Sequence, residues 1–403
     1  MLAKAPSFLD REAAVRVLND LLTEELKSLR PGGAASFGPG WGAETSVTAP
    51  RPGGIGADSL ELLALATAVA QRFNLQDCGI EDYLLVRTTL GEWADLVIEG
   101  LRRGCRRLTF RTSGSTGAAK PCTHDISILE QEVDALEVLF AGRRRILSTV
   151  PSHHIYGFLF TVLLPRRLGI PVVDVRSRGP AALARIAEPG DLIVGFPSYW
   201  KLLPLSVRFA PDVEGTSSTA PLPAGTADAL ALCGLGRLVE IYGSSETGGV
   251  GWRLAPGSSF TLFPHWEQDP AVPDGLVRLD SRGRPERHLL SDHLDWLDAR
   301  RFQVKGRRDG AVQVGGINVF PDRVAEILSR HPAVSEARVR LMRPEEGERL
   351  KAFIVPSAAE PEEELRASLT AWVDEHLSSP ERPRAFAFGA ALPVNAMGKA
   401  ADW

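Results

Sequence analysis

Twelve residues constrain this chain more than any others: Phe110 to Pro121, FRTSGSTGAAKP. They follow a short run of strand character, Arg107-Leu108-Thr109-Phe110, and set two serines, two threonines and two glycines ahead of Lys120. Small residues let a backbone approach an anion closely, hydroxyls and amides donate hydrogen bonds, and lysine supplies positive charge, so the stretch reads as a phosphate-gripping loop. The P-loop pattern does not fit, because Ala119 stands at its second glycine and Pro121 at its Mg-binding hydroxyl. A P-loop kinase or GTPase is therefore disfavoured.

The 403 residues are 44% apolar, enough for two or three cores, and the net charge of −4 gives no electrostatic reason to expect a nucleic-acid partner. Four cysteines without CxxC spacing predict reduced thiols and no zinc site, consistent with a cytoplasmic location. The N-terminus lacks the apolar core of a signal peptide. The longest apolar run, Tyr156 to Leu164, is too short for a bilayer, so no membrane insertion is expected. Only seven lysines occur, which draws attention to Lys120 and Lys399.

Residues 8 to 28 have helical periodicity, with Asp20 on the polar side, and a Gly/Pro/Ala-rich connection ends them. Gly56-Ala57-Asp58-Ser59-Leu60 opens a second helix to about Phe73, in which Asp58 and Glu61 have capping-box spacing. That helix is apolar nearly all round and is expected to be buried. A short segment near 80 to 85 and a helix from Thr89 to Arg103 complete the front.

Beyond the loop, Ser127 to Leu139 reads as a helix and Arg145 to Val150 as a buried strand running into Pro151-Ser152-His153-His154-Ile155-Tyr156-Gly157. Strands at 171 to 175 and 191 to 195 alternate with a helix over 181 to 187, which predicts a mostly parallel sheet. The strand 238 to 242 ends in Tyr242-Gly243-Ser244-Ser245-Glu246-Thr247-Gly248. The arginine groups at 102 to 107 and 143 to 145 read as solvated faces and helix ends. After Asp309 a strand, a turn, a helix over 321 to 330, two strands and a helix over 362 to 377 form a compact α+β unit.

These motifs, in this order, resemble the adenylate-forming superfamily of acyl- and aryl-CoA synthetases, luciferases and peptide-synthetase adenylation domains. Its phosphate signature, [ST]SG[ST]TGxPK, is matched from Thr112 to Lys120 with Ala119 in place of the proline. The resemblance implies phosphate contacts from Thr112, Ser113, Gly114, Ser115, Thr116, Gly117 and Lys120. The family's PxxHxxG element puts His154 at the wall of the carboxylate pocket with His153 beside it. Its YGxTE element implies Tyr242 on adenine, Gly243 beside it, Ser245 at the α-phosphate and Glu246 on Mg²⁺. Asp292 matches the ribose-binding aspartate, with Asp295 as the alternative, and Arg307 the arginine closing over ribose and phosphate. Asp309 matches the hinge, and Lys399, behind Pro393 and Gly398, the lysine joining carboxylate to α-phosphate. Gln313 departs from a common lysine.

GADSL at the head of the second helix is similar to acyl carrier proteins, in which the serine bears phosphopantetheine; the favoured reading is a carrier-like fold used as a structural module packed on the enzyme, and a modified Ser59 is the alternative. The expected chain is thus α/β, with a helical carrier-like module over 1–105, a mostly parallel adenylation core over 106–308 and a small mobile lid over 309–403. The implied chemistry activates a carboxylic acid with ATP and Mg²⁺, then transfers it to a pantetheine thiol. His153, Tyr156, Phe196, Thr219 and Gly248 would line a compact pocket suited to an aromatic acid. The pattern is similar to 4-hydroxybenzoate:acyl carrier protein ligases, which implies an acyl carrier protein partner; CoA as acceptor, a short fatty acid as donor and a non-catalytic nucleotide-binding scaffold are the alternatives.

Overall fold

The front of the chain is helical because its apolar residues recur at helical spacing between good caps. A computed structural model describes residues 8–30, 40–50, 52–111, 120–203, 207–223, 225–280, 282–343, 345–358, 361–393 and 403. Helix α1 (Arg11–Leu29) starts at Asp10, whose side chain accepts from Ala13 N. Helix α2 (Ser59–Phe73) carries the expected capping box between Asp58 and Glu61, and α3 (Leu90–Arg103) a second one between Thr89 and Glu92. The reading of α2 as wholly buried needs correction: Leu65, Ala68, Val69 and Phe73 are buried, whereas Leu60 is 79% and Leu63 53% exposed on the first two turns. The thiol expectation is also corrected, because the turn ending at Cys78 meets the end of α3 and Cys78 is bonded to Cys105; Cys122 and Cys233 are free and buried.

Strands β1 (Arg107–Arg111) and β2 (Pro121–Asp125) form an antiparallel pair around the phosphate stretch. Residues 112–119 themselves, and with them Thr112, Ser113, Gly114, Ser115, Thr116 and Gly117, lie outside the described residues, as does Lys399. Helix α4 (Ile126–Leu139) and β3 (Arg145–Ser148) follow. Then come α5 (Ile155–Phe158), a π-helical turn at Leu159–Leu163 and α6 (Leu164–Leu168). The central region continues with β4 (Val172–Asp174), α7 (Pro180–Ile186), β5 (Asp191–Gly195), α8 (Pro197–Lys201), β6 (Glu214–Ser217), α9 (Thr226–Leu232) and β7 (Arg237–Ser244). These five strands pair in parallel in the order β4-β3-β5-β6-β7.

The parallel expectation holds for that half only. Strands β8 (Gly248–Leu254) and β9 (Phe260–Leu262) extend the sheet antiparallel, beyond them β10 (Glu267–Gln268), β11 (Gly275–Leu279) and β12 (Pro285–Leu289) form a separate antiparallel sheet, and β13 (Asp292–Trp296) and β14 (Arg301–Arg307) complete the large one. Hairpin connections of a few residues allow no crossover helix, so these strands must reverse direction.

Two compact units emerge: one comprises described residues up to 111, 120–289 and 296–303, the other 290–295 and those from 304 onward. The expected separate module over 1–105 is instead part of the first unit. Phe8 meets the Phe158 ring at 6.4 Å, Arg16 donates to Thr161 O at 2.6 Å, and Arg111 bonds Glu25 and Gln71. The arginines read as solvated are also partly structural: Arg143 pairs with Asp212 at 2.8 Å and Arg145 with Asp191 at 2.7 Å.

The second unit contains β15 (Val312–Val314), β16 (Ile317–Val319), α10 (Pro321–Ser329), β17 (Val334–Leu341), β18 (Leu350–Pro356), α11 (Glu362–His376) and β19 (Ala385–Phe388). Both helices pack on the β17-β18-β19 sheet through Val324, Leu328, Leu365, Leu369 and Val373. Its elements match the α+β expectation, with β19 added parallel to β18. No helix among the described residues is long and apolar enough to cross a membrane.

Candidate active site

A cavity of about 750 Å³ opens in the first unit where β2, the β7–β8 turn and the β11–β12 hairpin meet. Lys120 and Glu246, separated by 126 positions, both line it, with His124, Arg278, Asp280 and Glu286. Opposite charges on one wall suit a ligand that carries phosphates together with a cation.

The turn bearing Ser245 and Glu246 is held from behind. Ser244 Oγ accepts from the N–H groups of Glu246 and Thr247 at 3.2 and 3.3 Å, a local fastening typical of serine in turns. Further back, His124 Nε2 donates to Ser245 O at 2.7 Å, Arg278 to Thr247 O at 3.1 Å and Trp266 to Gly249 O at 2.8 Å, while Glu132 accepts from Gly249 N at 2.7 Å. Burial lowers the His124 pKa, which favours the neutral ring. Desolvation lifts the Glu132 carboxyl to about 7, with the Gly249 N–H and Arg278 opposing. Gly243 is required: a Cβ there would stand 2.1 Å from Gly248 O, at the bulge where the β7–β8 register shifts. The turn is thereby rigid, and Glu246 projects from it into solvent.

Tyr242 is half-buried, its ring 5.6 Å from both Phe260 and Phe302, so one aromatic group is supported by two others. Thr219, exposed at the end of β6, has φ of +80°, a conformation rare for a β-branched residue. Gly248 lies over the Glu132 carboxylate, where a Cβ would come within 2.7 Å of Oε2.

The second cluster surrounds Pro151 to Gly157. The His153 and His154 rings lie 4.1 Å apart, and both His153 nitrogens are buried with no hydrogen-bond partner among the described residues. Desolvation holds both histidines below their ordinary pKa; for His153 the neighbouring His154 and Arg72 add to it, and for His154 Glu24 and Asp20 oppose it. Tyr156 is buried and donates to Gly195 O at 3.0 Å, which ties it to the carboxyl end of β5. Phe196 is half-buried, 6.0 Å from Tyr199.

In the second unit Arg307 donates to Asp309 at 2.8 and 2.6 Å and approaches Asp292 at 4.0 Å. Three separately predicted residues thus meet, and the Arg307 bonds hold the Asp309 pKa down.

Asp20, Glu132, His124 and Arg278 were not legible as site residues. A weak signal existed for Glu132, an acidic residue inside the stripe Ile128, Leu129, Val133, Leu136.

The AMP-binding enzyme family model matches residues 110–321, and its C-terminal-domain model 323–399. The chain belongs to the AMP-binding enzyme family. It is therefore an ATP-dependent, AMP-forming acid–thiol ligase that activates a carboxylic acid as its acyl-adenylate. A 4-coumarate–CoA ligase of Halorhodospira halophila is 40% identical over 86% of this chain and 88% of that protein. One from Cereibacter sphaeroides is 39% identical over 100% and 98%. Among solved structures, o-succinylbenzoate CoA synthetase of Bacillus subtilis superposes with TM-score 0.55 at 18% identity, over 73% of this chain and 67% of that one, a likeness of fold alone.

Proposed function

We propose that this AMP-binding enzyme ligates an aromatic acid, of the 4-hydroxyphenyl class that includes 4-coumarate, to CoA. The observation carrying the site assignment is the cavity that joins Lys120 and Glu246 on a turn fastened from behind. Support for CoA over a carrier protein comes from relatives named 4-coumarate–CoA ligase at about 40% identity across nearly the whole chain.

A carboxylate is a poor electrophile, and its charge must approach that of ATP. Lys120 and the stretch 112–117 bind the phosphates, Tyr242 and Gly243 form the adenine wall, Ser245 donates to the α-phosphate, and Asp292 with Arg307 holds ribose. Lys399 offsets charge on both carboxylate and α-phosphorus as their bond forms and pyrophosphate leaves. Among the described residues no three His, Cys, Asp or Glu side chains are grouped to hold a metal. One exposed carboxylate still fits Mg²⁺, which is commonly held by one or two carboxylates plus phosphate oxygens. Glu246 would hold it, and its charge would neutralise the departing pyrophosphate. His153, His154, Phe196, Thr219 and Gly248 shape the acid pocket. The unit beyond Asp309 acts as the mobile lid, and attack by the CoA thiol on the acyl-adenylate releases AMP.

Carboxylate-dependent pyrophosphate exchange with 4-coumarate, 4-hydroxybenzoate and short fatty acids tests the donor, and thioester formation with CoA against a holo carrier protein tests the acceptor. Exchange only with fatty acids, or transfer only to the carrier, would replace this reading. Lys399→Ala is expected to lower exchange by roughly 10²- to 10³-fold, the scale of one lost electrostatic donor; unchanged exchange removes its assigned role. The helices of the first unit are structural in this reading, so incubation with a phosphopantetheinyl transferase leaves the mass at Ser59 unchanged.

A further inference from the structure

We propose that Asp20, on helix α1, is a positioning residue for the acid pocket: it fixes the backbone that presents His153 and His154. The proposal rests on the reading of those histidines as the pocket wall. Asp20 is 4% exposed, and one carboxylate oxygen accepts from both Ser152 N at 2.6 Å and Ser152 Oγ at 2.7 Å. Its other oxygen pairs with Arg176 at 2.6 Å, and Arg176 is itself held by Asp174 through its N–H and Nε at 2.9 and 3.0 Å. Ser152 follows the carboxyl end of β3, and Asp174 closes the carboxyl end of β4. This is the sheet edge at which α/β proteins place ligands.

A carboxylate is costly to bury, and a paired one often stabilises no better than an apolar residue of similar size; its best-attested use is to select one register. Ser152 is a fitting object for such selection. Both nitrogens of the His153 ring are buried without a hydrogen-bond partner among the described residues, and the exposed His154 ring lies 4.1 Å from it, so the direction of His153 follows from the backbone and from packing. Charged groups facing the pair come largely from the front of the chain: Asp20, Glu24 and Lys27 from α1 and Arg72 from α2, with Arg176 after β4. Two short bonds to a single oxygen hold the residue next to His153, and that accepting oxygen is contributed by a helix 132 positions away in sequence.

The test compares wild type with Asp20→Ala, Asp20→Asn and Ser152→Ala, using the full chain, an aromatic acid and ATP. Asp20→Ala is expected to raise KM for the acid about ten-fold or more, the scale of a lost hydrogen bond to a charged group, with KM for ATP unchanged. Asp20→Asn keeps an oxygen for the Ser152 N–H and recovers part of the loss. Ser152→Ala, which removes the hydroxyl bond alone, gives a smaller shift in the same direction and, with Asp20→Asn, decides the matter should Asp20→Ala fail to fold. Amide hydrogen exchange of the peptide over 150–158 is expected to quicken in Asp20→Ala, a readout that needs no turnover. Unchanged acid KM in the folded variants overturns the proposal, as does a fall in kcat with both KM values fixed, the mark of a mere brace. Wild type inactive with every acid overturns the ligase reading instead; the exchange rates then still decide whether Asp20 holds Ser152, and unchanged rates overturn that hold.

Discussion

Glu132 shows how much one buried group influences the behaviour of the site. Its folded pKa of about 7 lies above the ordinary 4.5, so the folded protein keeps a proton that the unfolded chain releases. That contribution to stability is full below about pH 4.5 and is lost as pH rises through about 7. Glu132→Gln retains an oxygen for the Gly249 N–H but cannot ionise. Denaturant titrations at about pH 6 and about pH 8 should therefore differ less in the variant than in wild type; an equal difference shows that Glu132 does not titrate in this range. Thr219 offers a second test. Left-handed backbone at a β-branched residue costs on the order of 1 kcal/mol, and Thr219→Gly is expected to return about that amount in unfolding free energy. If the strain serves the pocket, KM for the acid rises in the same variant. The sequence names both residues but reveals neither property, since protonation and φ depend on neighbours far along the chain.

At the scale of elements, the turn into α5 was legible and its reason was not. Pro151, His154 and Gly157 were recognisable only through their resemblance to a family element, and only the fold shows that a Cβ at position 157 would stand 1.8 Å from Pro151 O. Such an overlap with backbone cannot be relieved by a side-chain rotation. Gly157→Ala is expected to destabilise the protein by several kcal/mol, at the upper end for single substitutions, and a thermal midpoint equal to wild type would show that the turn rearranges freely. Helix α2 supplies the converse case. Its capping box was readable from Asp58 and Glu61, whereas the burial of Arg72 was not. The Arg72 guanidinium lies 3.8 Å over the Phe110 ring and 4.7 Å from Phe158, with Nε and Nη2 unpartnered among the described residues, and desolvation lowers its pKa to about 9. Replacing such a charge by an apolar side chain is often neutral or stabilising, so Arg72→Met is expected to leave the thermal midpoint unchanged or raised.

At the scale of the molecule, the front helices and the catalytic region share one compact unit. A chain lacking residues 1–105 would expose Phe110 and Phe158 and leave Ser152 without Asp20, so it is expected to be insoluble or to lack cooperative unfolding by circular dichroism; a soluble, cooperatively folding fragment would restore the three-domain division. The sequence alone determined the strand leading into residues 112–119, the strand that ends in the Tyr242 turn, the α+β elements beyond Asp309 and most helix bounds, because capping and periodicity are local. Tertiary structure alone decided the antiparallel half of the sheet, the fusion of the front helices with the core, the Cys78–Cys105 bond and the supports at Asp20, His124, Glu132 and Arg278. Each of these depends on which distant residues share a dry environment, and pairing between distant strands, burial and pKa are properties of that environment rather than of any stretch of chain.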